Sequence, residues 1–348
     1  MTVINESKEA QDNLLTPQQP KEKLLEVKNL KKFFPVKGGI LKRTIGHVKA
    51  VDDVSLSVYQ GETLGVVGES GSGKSTLGRL ILKLLDPTEG QIVFNGNDIT
   101  SYSQRKVRPH RKDMQMIFQD PYGSLNPRMS VGELIEEPMM LHDRLTKKER
   151  QNRVIELLDT VGLGGEARFK YPHEFSGGQR QRIGIARALS TRPKFIIGDE
   201  PVSALDVSVQ SQVLNLMDDL QKEFNLTYLF IAHDLSVVKH ISDRVAVMYL
   251  GRIAEVAPKH SLYKQPLHPY TKALISAVPD PDVNRKREKI KLEGDMPSPS
   301  NPPAGCPFHT RCPEAHERCR SERPELTNMG NEHYVACHLY TESYKTNT

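Results

Sequence analysis

No stretch of the chain approaches the roughly 20 consecutive apolar residues that a membrane-spanning helix needs, and the first residues lack the basic-then-apolar order of a secretory signal. Hydrophobic residues make up 37% of the 348, and mean hydropathy is −0.50, so the expectation is a globular chain, soluble by itself and cytoplasmic. No internal repeat is present. The basic clusters Gln104–Lys112 and Asn284–Lys291 have no interleaved aromatic residues, which argues against a single-strand nucleic-acid platform. Formal net charge is a modest +5; solvated loops are the plainer reading of these clusters, with phosphate or anionic lipid as the alternative. Cysteine is missing from the first 305 residues and then occurs four times, at Cys306, Cys312, Cys319 and Cys337.

The length suits one large domain plus an appendage. Residues 1–22 are polar without apolar periodicity and read as a disordered tail. From about Leu24 to residue 265, short apolar runs alternate with helical patterns. Val54, Leu56 and Val58 alternate as in a half-buried strand, and further strands are expected at 64–67, 92–94, 116–118, 195–197, 227–232 and 245–250. Val209, Val213, Leu216, Met217, Leu220 and Phe224 share a helix face. Strands alternating with helices predict an α/β fold with a mainly parallel sheet. The stretch 125–187 is helix-rich, with Val154, Leu157, Leu158 and Val161 on one face, and reads as a helical insert. Beyond residue 265, proline-rich connections mark a small module over 266–348.

The apolar run Leu64–Val67 leads directly into Gly68-Glu69-Ser70-Gly71-Ser72-Gly73-Lys74-Ser75. Glycines there let successive amides point inward at the start of a helix, where an anion is favoured. Lys74 reaches the terminal phosphates in such a loop, Ser75 ligates Mg²⁺, and Ser70 and Thr76 complete the nucleotide contacts. Further on, Asp199 ends an apolar run and Glu200 follows it. Downstream of a phosphate loop, such a pair holds Mg²⁺ and polarises an attacking water.

Between these two motifs lies Phe175-Ser176-Gly177-Gly178-Gln179-Arg180-Gln181-Arg182. With all three in this order, the chain resembles ATP-binding subunits of ABC transporters, from about residue 25 to the last cysteine. That likeness implies a P-loop NTPase fold of the ABC ATPase kind. It matches Gln119, after Met116-Ile117-Phe118, to the Q-loop that senses Mg²⁺, His233 to the switch histidine, Phe34 to the adenine-stacking aromatic with Phe33 as a rival register, and Ser203–Asp206 to the D-loop. Ser176 can cap a helix while the glycines beside it expose amides, making a second phosphate surface. In the family, Ser176, Gly178, Gln179 and Asp206 would meet ATP held by an opposing subunit, so neither chain has a complete site alone. Phe175 and Gly198 stand where the family more often has Leu and a larger apolar residue.

Within the family, Phe118-Gln119-Asp120-Pro121-Tyr122-Gly123-Ser124-Leu125-Asn126-Pro127 resembles the oligopeptide and dipeptide permease ATPases. So do His268-Pro269-Tyr270-Thr271-Lys272-Ala273-Leu274 and Gly294-Asp295-Met296-Pro297-Ser298-Pro299, while Phe34–Lys37 and Val48–Val51 resemble their F-type subunit. The likeness implies a heterodimer with a related ATPase beneath two transmembrane permease subunits, on the cytoplasmic face of a bacterial membrane. Peptides would be delivered by an extracytoplasmic binding protein, and nucleic acid is not an implied partner. Transport of nickel or another small solute, and a soluble ABC ATPase uncoupled from transport, are the alternatives. The 125 positions from Lys74 to Asp199 leave no room for the coiled-coil insert of chromosome-associated members.

The cysteine spacing C-x₅-C-x₆-C-x₁₇-C in a reducing compartment leaves a metal site or free thiols. Four thiolates suit zinc or an iron-sulfur cluster, and His309, His316, His333 and His338 keep a mixed zinc site open. The resemblance implies a [4Fe-4S] cluster.

Overall fold

The computed structural model describes residues 22–39, 42–278 and 289–341. The tail expected over 1–22 therefore lies outside the described residues up to residue 21, as does residue range 284–288 of the second basic cluster. Two sheets organise the chain. Strands β1 (Lys23–Gly38), β2 (Arg43–Tyr59), β4 (Glu89–Phe94) and β5 (Asn97–Asp98) form an antiparallel sheet in the order β2-β1-β4-β5. Leu25 and Val27 of β1 are buried while Lys28 faces out, the alternation that fixes register in a sheet covered on one side.

The central sheet contains β3 (Thr63–Val67), β6 (Met114–Ile117), β7 (Phe195–Asp199), β8 (Thr227–Ala232), β9 (Arg244–Tyr249), β10 (Arg252–Pro258), β11 (Thr327–Asn328) and β12 (Tyr334–Val335). Its order is β11-β12-β10-β9-β3-β8-β7-β6. The five strands from β9 to β6 are parallel, and β10, β12 and β11 add an antiparallel edge. Strands β3, β7, β8 and β9 are buried along their whole length, which is why they read as continuous apolar runs rather than alternating ones.

Helix α1 (Lys74–Ile81) packs Leu77, Leu80 and Ile81 into a core shared with Val66, Ile92, Phe94, Ile197 and Ile231, where the two sheets face each other. A second core joins helices α2 (Val131–His142), α3 (Lys147–Thr160), α4 (Gly177–Leu189), α5 (Val207–Phe224) and α6 (Leu235–Ile241) to the sheet. Capping boxes start α2 (Ser130 with Glu133) and α3 (Thr146 with Glu149), each satisfying amides at both ends of the motif. Among the described residues no helix is long and apolar enough to cross a membrane.

The carboxy-terminal residues join the central sheet through β12, whose Val335 and Tyr334 pair with Glu255 and Val256 of β10. Helix α7 (Pro269–Ala277) sends Tyr270 into an aromatic cluster with Tyr249 and Phe308. Glu255, fully buried, accepts hydrogen bonds from the amides of Leu267 (2.8 Å) and His268 (2.9 Å) and lies 2.6 Å from His333 Nε2.

Two features differ from the expectation of a mainly parallel sheet. The antiparallel sheet is built on strands of 16 and 17 residues, whose repeated register shifts break the period-two signal in sequence. The antiparallel edge beyond β9 consists of β10, seven residues buried from Ile253 to Ala257, and of the two-residue strands β12 and β11, too short to carry any period.

Candidate functional site

Strand β3 ends at Val67, a glycine-rich loop follows, and α1 begins at Lys74. Gly73 has φ 103°, and a Cβ there would lie 2.1 Å from the Ala50 carbonyl oxygen, so only glycine fits. Lys74 Nζ donates to the carbonyls of Gly68 (2.8 Å) and Glu69 (3.0 Å) and to Ser72 Oγ (3.4 Å). Burial lowers the lysine pKa, and the carboxylates of Glu200 and Asp199 oppose that shift. Ser70 and Gly71 lie exposed at the crest of the loop, and Thr76 is half-buried in the first turn of α1.

Ser75 Oγ donates to Asp199 Oδ1 at 2.7 Å. Asp199 is 4% exposed, and burial raises its pKa against the pull of the Ser75 hydrogen bond. A buried carboxylate beside a hydroxyl suits Mg²⁺, which takes few protein oxygens and fills its octahedron with water and phosphate.

Glu200 follows β7 with φ 49°, a left-handed conformation costing about 1–3 kcal/mol in a non-glycine residue. Its amide bonds to the Ile231 carbonyl (2.9 Å), and its carbonyl accepts from Ser203 Oγ (3.0 Å). The strained turn brings Glu200 Oε2 to Gln119 Nε2 (3.0 Å) and His233 Nδ1 (3.3 Å). Gln119 follows β6 and His233 follows β8, so three neighbouring parallel strands each supply one member at their carboxyl ends, where open α/β sheets bind ligands. Ser75, Asp199, Gln119, Glu200, His233 and Lys74 thus form one group.

Ser176, Gly178, Gln179 and Asp206 form another. Ser176 caps α4 in a reciprocal box: its Oγ accepts from the Gln179 amide and Gln179 Oε1 accepts from its amide. Asp206 caps α5, accepting from Val209 N (3.0 Å) and Ser208 Oγ (2.7 Å), and the serine bond holds its carboxyl below the usual range. Gly178 departs from the expectation of an exposed amide surface: it is buried, and a Cβ would meet Val209 Cγ1 at 2.4 Å. Its smallness lets α4 and α5 start side by side. At Gly198 a Cβ would sit 3.1 Å from Pro201 Cγ, so that glycine makes room for the turn carrying Glu200. Phe34 is half-buried in β1, with Lys32 Nζ 5.1 Å from its ring centre, and Phe33 has Lys49 at 5.7 Å; neither ring belongs to the two bonded groups.

Several contacts escaped the sequence reading. Arg180 stacks on Tyr122 at 3.7 Å, and Arg187 Nη1 donates to the Ser124 carbonyl at 2.6 Å, tying α4 to the segment after Gln119. Their spacing of seven, one helix face, was the available signal. Glu69, inside the loop, is bonded to Arg311 and Tyr270 from the carboxy-terminal residues, and nothing local in sequence shows it.

Cys306, Cys319 and Cys337 are buried, Cys312 is half-buried, and none is in a disulfide. Burial, reinforced by the neighbouring thiols, pushes Cys306 up to about 11 and Cys337 up to about 12, and raises Cys312. Among the described residues, however, no group of three or more His, Cys, Asp or Glu is placed to hold a metal ion. Of the histidines that kept a mixed zinc site open, His333 is turned to Glu255 and His338 Nε2 to the Glu322 carbonyl (3.0 Å).

Comparison with known proteins fits this geometry. The family profile described as "ABC transporter" matches residues 51–203, and "Oligopeptide/dipeptide transporter, C-terminal region" matches 254–319. The chain is 58% identical over 326 residues to the oligopeptide transport ATP-binding protein AppF of Bacillus subtilis, covering 92% of this chain and 98% of the relative. It is 54% identical over 316 residues to a probable peptide ABC transporter ATP-binding protein of Sinorhizobium fredii, covering 91% and 90%. Among solved structures, the dimeric post-hydrolysis state of the ATP-binding cassette MJ0796 bound to ADP and Pi has a TM-score of 0.61 at 28% identity, covering 68% of this chain and 98% of that one. CbiO1 from Clostridium perfringens, part of the transporter complex cbiONQ, gives 0.61 at 28%, covering 70% and 92%.

Proposed function

The chain belongs to the ABC transporter ATPases, in their oligopeptide/dipeptide branch, and from that premise we propose that it hydrolyses ATP to power peptide import. One observation carries the choice of branch: the cassette profile at 51–203 and the peptide-transporter carboxy-terminal profile at 254–319 occur in one chain. Its likeness to AppF along nearly that protein's whole length supports the same reading.

In this reading Lys74 and the loop amides bind the phosphates, Ser75 and Asp199 hold Mg²⁺ with Gln119 nearby, Glu200 polarises the attacking water, and His233 contacts the γ-phosphate. The chain's own contribution to the step is a positioned proton acceptor: Glu200 is held by Gln119 and His233. Ser176, Gln179 and Asp206 act on ATP held by a second, related ATPase, with Gly178 letting the two helix starts that carry them lie side by side, residues 23–265 forming the nucleotide-binding domain and 266–348 the cysteine module. The pair works under two permease subunits at the cytoplasmic face of the membrane. Pulling down a tagged chain from membranes and reconstituting the complex tests this. We expect two membrane subunits and a second ATPase, with hydrolysis stimulated several-fold by peptide-loaded binding protein; stimulation by nickel instead, or a soluble ATPase pair with no membrane subunit, would overturn it.

For the cysteines we propose a [4Fe-4S] cluster on Cys306, Cys312, Cys319 and Cys337. The spacing C-x₅-C-x₆-C-x₁₇-C, the burial of Cys306, Cys319 and Cys337 with Cys312 half-buried, and the bond from Cys306 N to the Cys319 carbonyl (2.8 Å) support this reading. Such a cluster would cross-link a module short of apolar core. Anaerobic purification should give about four irons and four sulfides per chain; a colourless protein with one zinc refutes it.

A further inference from the structure

Glu69 is the second residue of the phosphate loop, and each of its polar groups is engaged. Its carbonyl accepts from Lys74 Nζ (3.0 Å). Its amide donates to Tyr270 Oη (2.9 Å), so it is turned away from any phosphate in the loop. Its carboxylate accepts from Arg311 Nη1 at 3.0 and 2.9 Å. Two of these three contacts come from beyond residue 265. Tyr270 is fully buried against Tyr249 and Phe308. Arg311 ends the turn His309–Arg311, between Cys306 and Cys312, and its side chain is only 8% exposed.

The same module touches the loop elsewhere. A Cβ on Gly71 would lie 3.2 Å from Met296 Cε, and the Pro299 carbonyl accepts from Lys49 N (3.0 Å), next to the Ala50 carbonyl that crowds Gly73. The phosphate loop is thus braced from outside by Tyr270, Met296, Pro299 and Arg311.

A carboxylate inside a phosphate loop repels the polyphosphate that the loop must hold. At 30% exposure of its side chain, Glu69 is only partly screened by solvent. Arg311 cancels that charge and fixes where the Glu69 backbone sits, and with it the orientation of the amides that follow. We propose that Arg311 is a positioning residue for ATP binding, acting through Glu69, and that the cysteine module thereby sets the nucleotide affinity of this subunit. The inference rests on reading loop 68–75 as the ATP site.

The test uses the assembled transporter and reads ATP KM and kcat separately, after wild-type nucleotide binding has been measured. Absence of ATP binding by the wild type sinks the reading of the loop and this inference with it. Given binding, Arg311→Ala should raise the ATP KM roughly tenfold while kcat stays within about twofold, a loss typical of one charge-assisted contact. In a Glu69→Ala background the same Arg311→Ala change should move KM less than about twofold, because the charge it cancels is gone. Arg311→Lys, which keeps the cation, should recover most of the affinity, and Arg311→Gln, which removes only the charge, carries the comparison if the alanine variant does not assemble. An unchanged KM in folded Arg311→Ala or Arg311→Gln complexes, a rise in Arg311→Lys as large as in Arg311→Ala, or an equal rise with and without Glu69, overturns the proposal. A purely structural role for Arg311 would lower the melting temperature and leave KM where it was.

Discussion

Glu200→Gln is expected to lower ATP hydrolysis by about 100- to 10,000-fold, the usual worth of a positioned general base, while leaving ATP binding intact. The amide keeps the size of the carboxylate and can still bond to Gln119 and His233, which now meet Glu200 Oε2 at 3.0 and 3.3 Å. It cannot take a proton from water. The left-handed backbone at φ 49° is equally tolerable for glutamine, so folding should not suffer. Because Lys74, Ser75 and Asp199 are untouched, ATP and Mg²⁺ should still load. If the exposed start of α4, with Ser176 and Gln179, completes a partner's site, ATP favours the closed pair and hydrolysis releases it. The variant should then accumulate as an ATP-dependent dimer with its partner ATPase. Size-exclusion chromatography with and without ATP reads this directly, alongside phosphate release. Retained hydrolysis within tenfold of wild type would remove Glu200 from the role of base, and a variant that binds ATP but stays monomeric with its partner would refute the shared site.

The parts of this site legible in sequence are those where one local conformation needs particular residues in a row. The loop 68–75 announced itself because a tight turn of inward amides demands glycine, and Gly73 shows why, with no room for a Cβ. Asp199 and Glu200 were visible as charge at the end of an apolar run. The parallel strands were legible because both faces are covered. What stayed hidden depends on long-range meeting. Arg311 and Glu69 are 242 positions apart, and Glu255 looks like any acidic residue in a strand until Leu267, His268 and His333 converge on it. Gly178 shows the opposite failure: its residue type was noticed, but the cause is contact with Val209 of the next helix, which no local pattern encodes.

Glu255→Ala should be the most damaging single change outside the ATP site. The carboxylate is 0% exposed and serves Leu267 N, His268 N and His333 Nε2 together. Removing it strands a buried amide, a partly buried amide and a buried histidine, and breaking a buried, hydrogen-bonded pair of this kind costs about 3–5 kcal/mol. That corresponds to a fall in melting temperature on the order of 10 °C. The contacts link β10 to the start of α7 and to the turn before β12, so the loss should appear first as release of the carboxy-terminal module. Limited proteolysis should cut after residue 265 before the cassette itself is attacked. Glu255→Gln, with one acceptor oxygen instead of two, should fall between alanine and wild type. The same junction should be acid-sensitive. Burial holds His268 at about 4, below its ordinary 6.5, and its Nδ1 accepts from Tyr270 N (3.0 Å), a bond that the protonated ring cannot make. The unfolded chain therefore binds more protons than the folded one between those values. Stability is complete above about pH 6.5 and is lost as pH falls toward 4, by as much as a few kcal/mol. A Glu255→Ala protein that melts within 2 °C or so of wild type and resists protease equally would show that the module is held by its aromatic cluster alone.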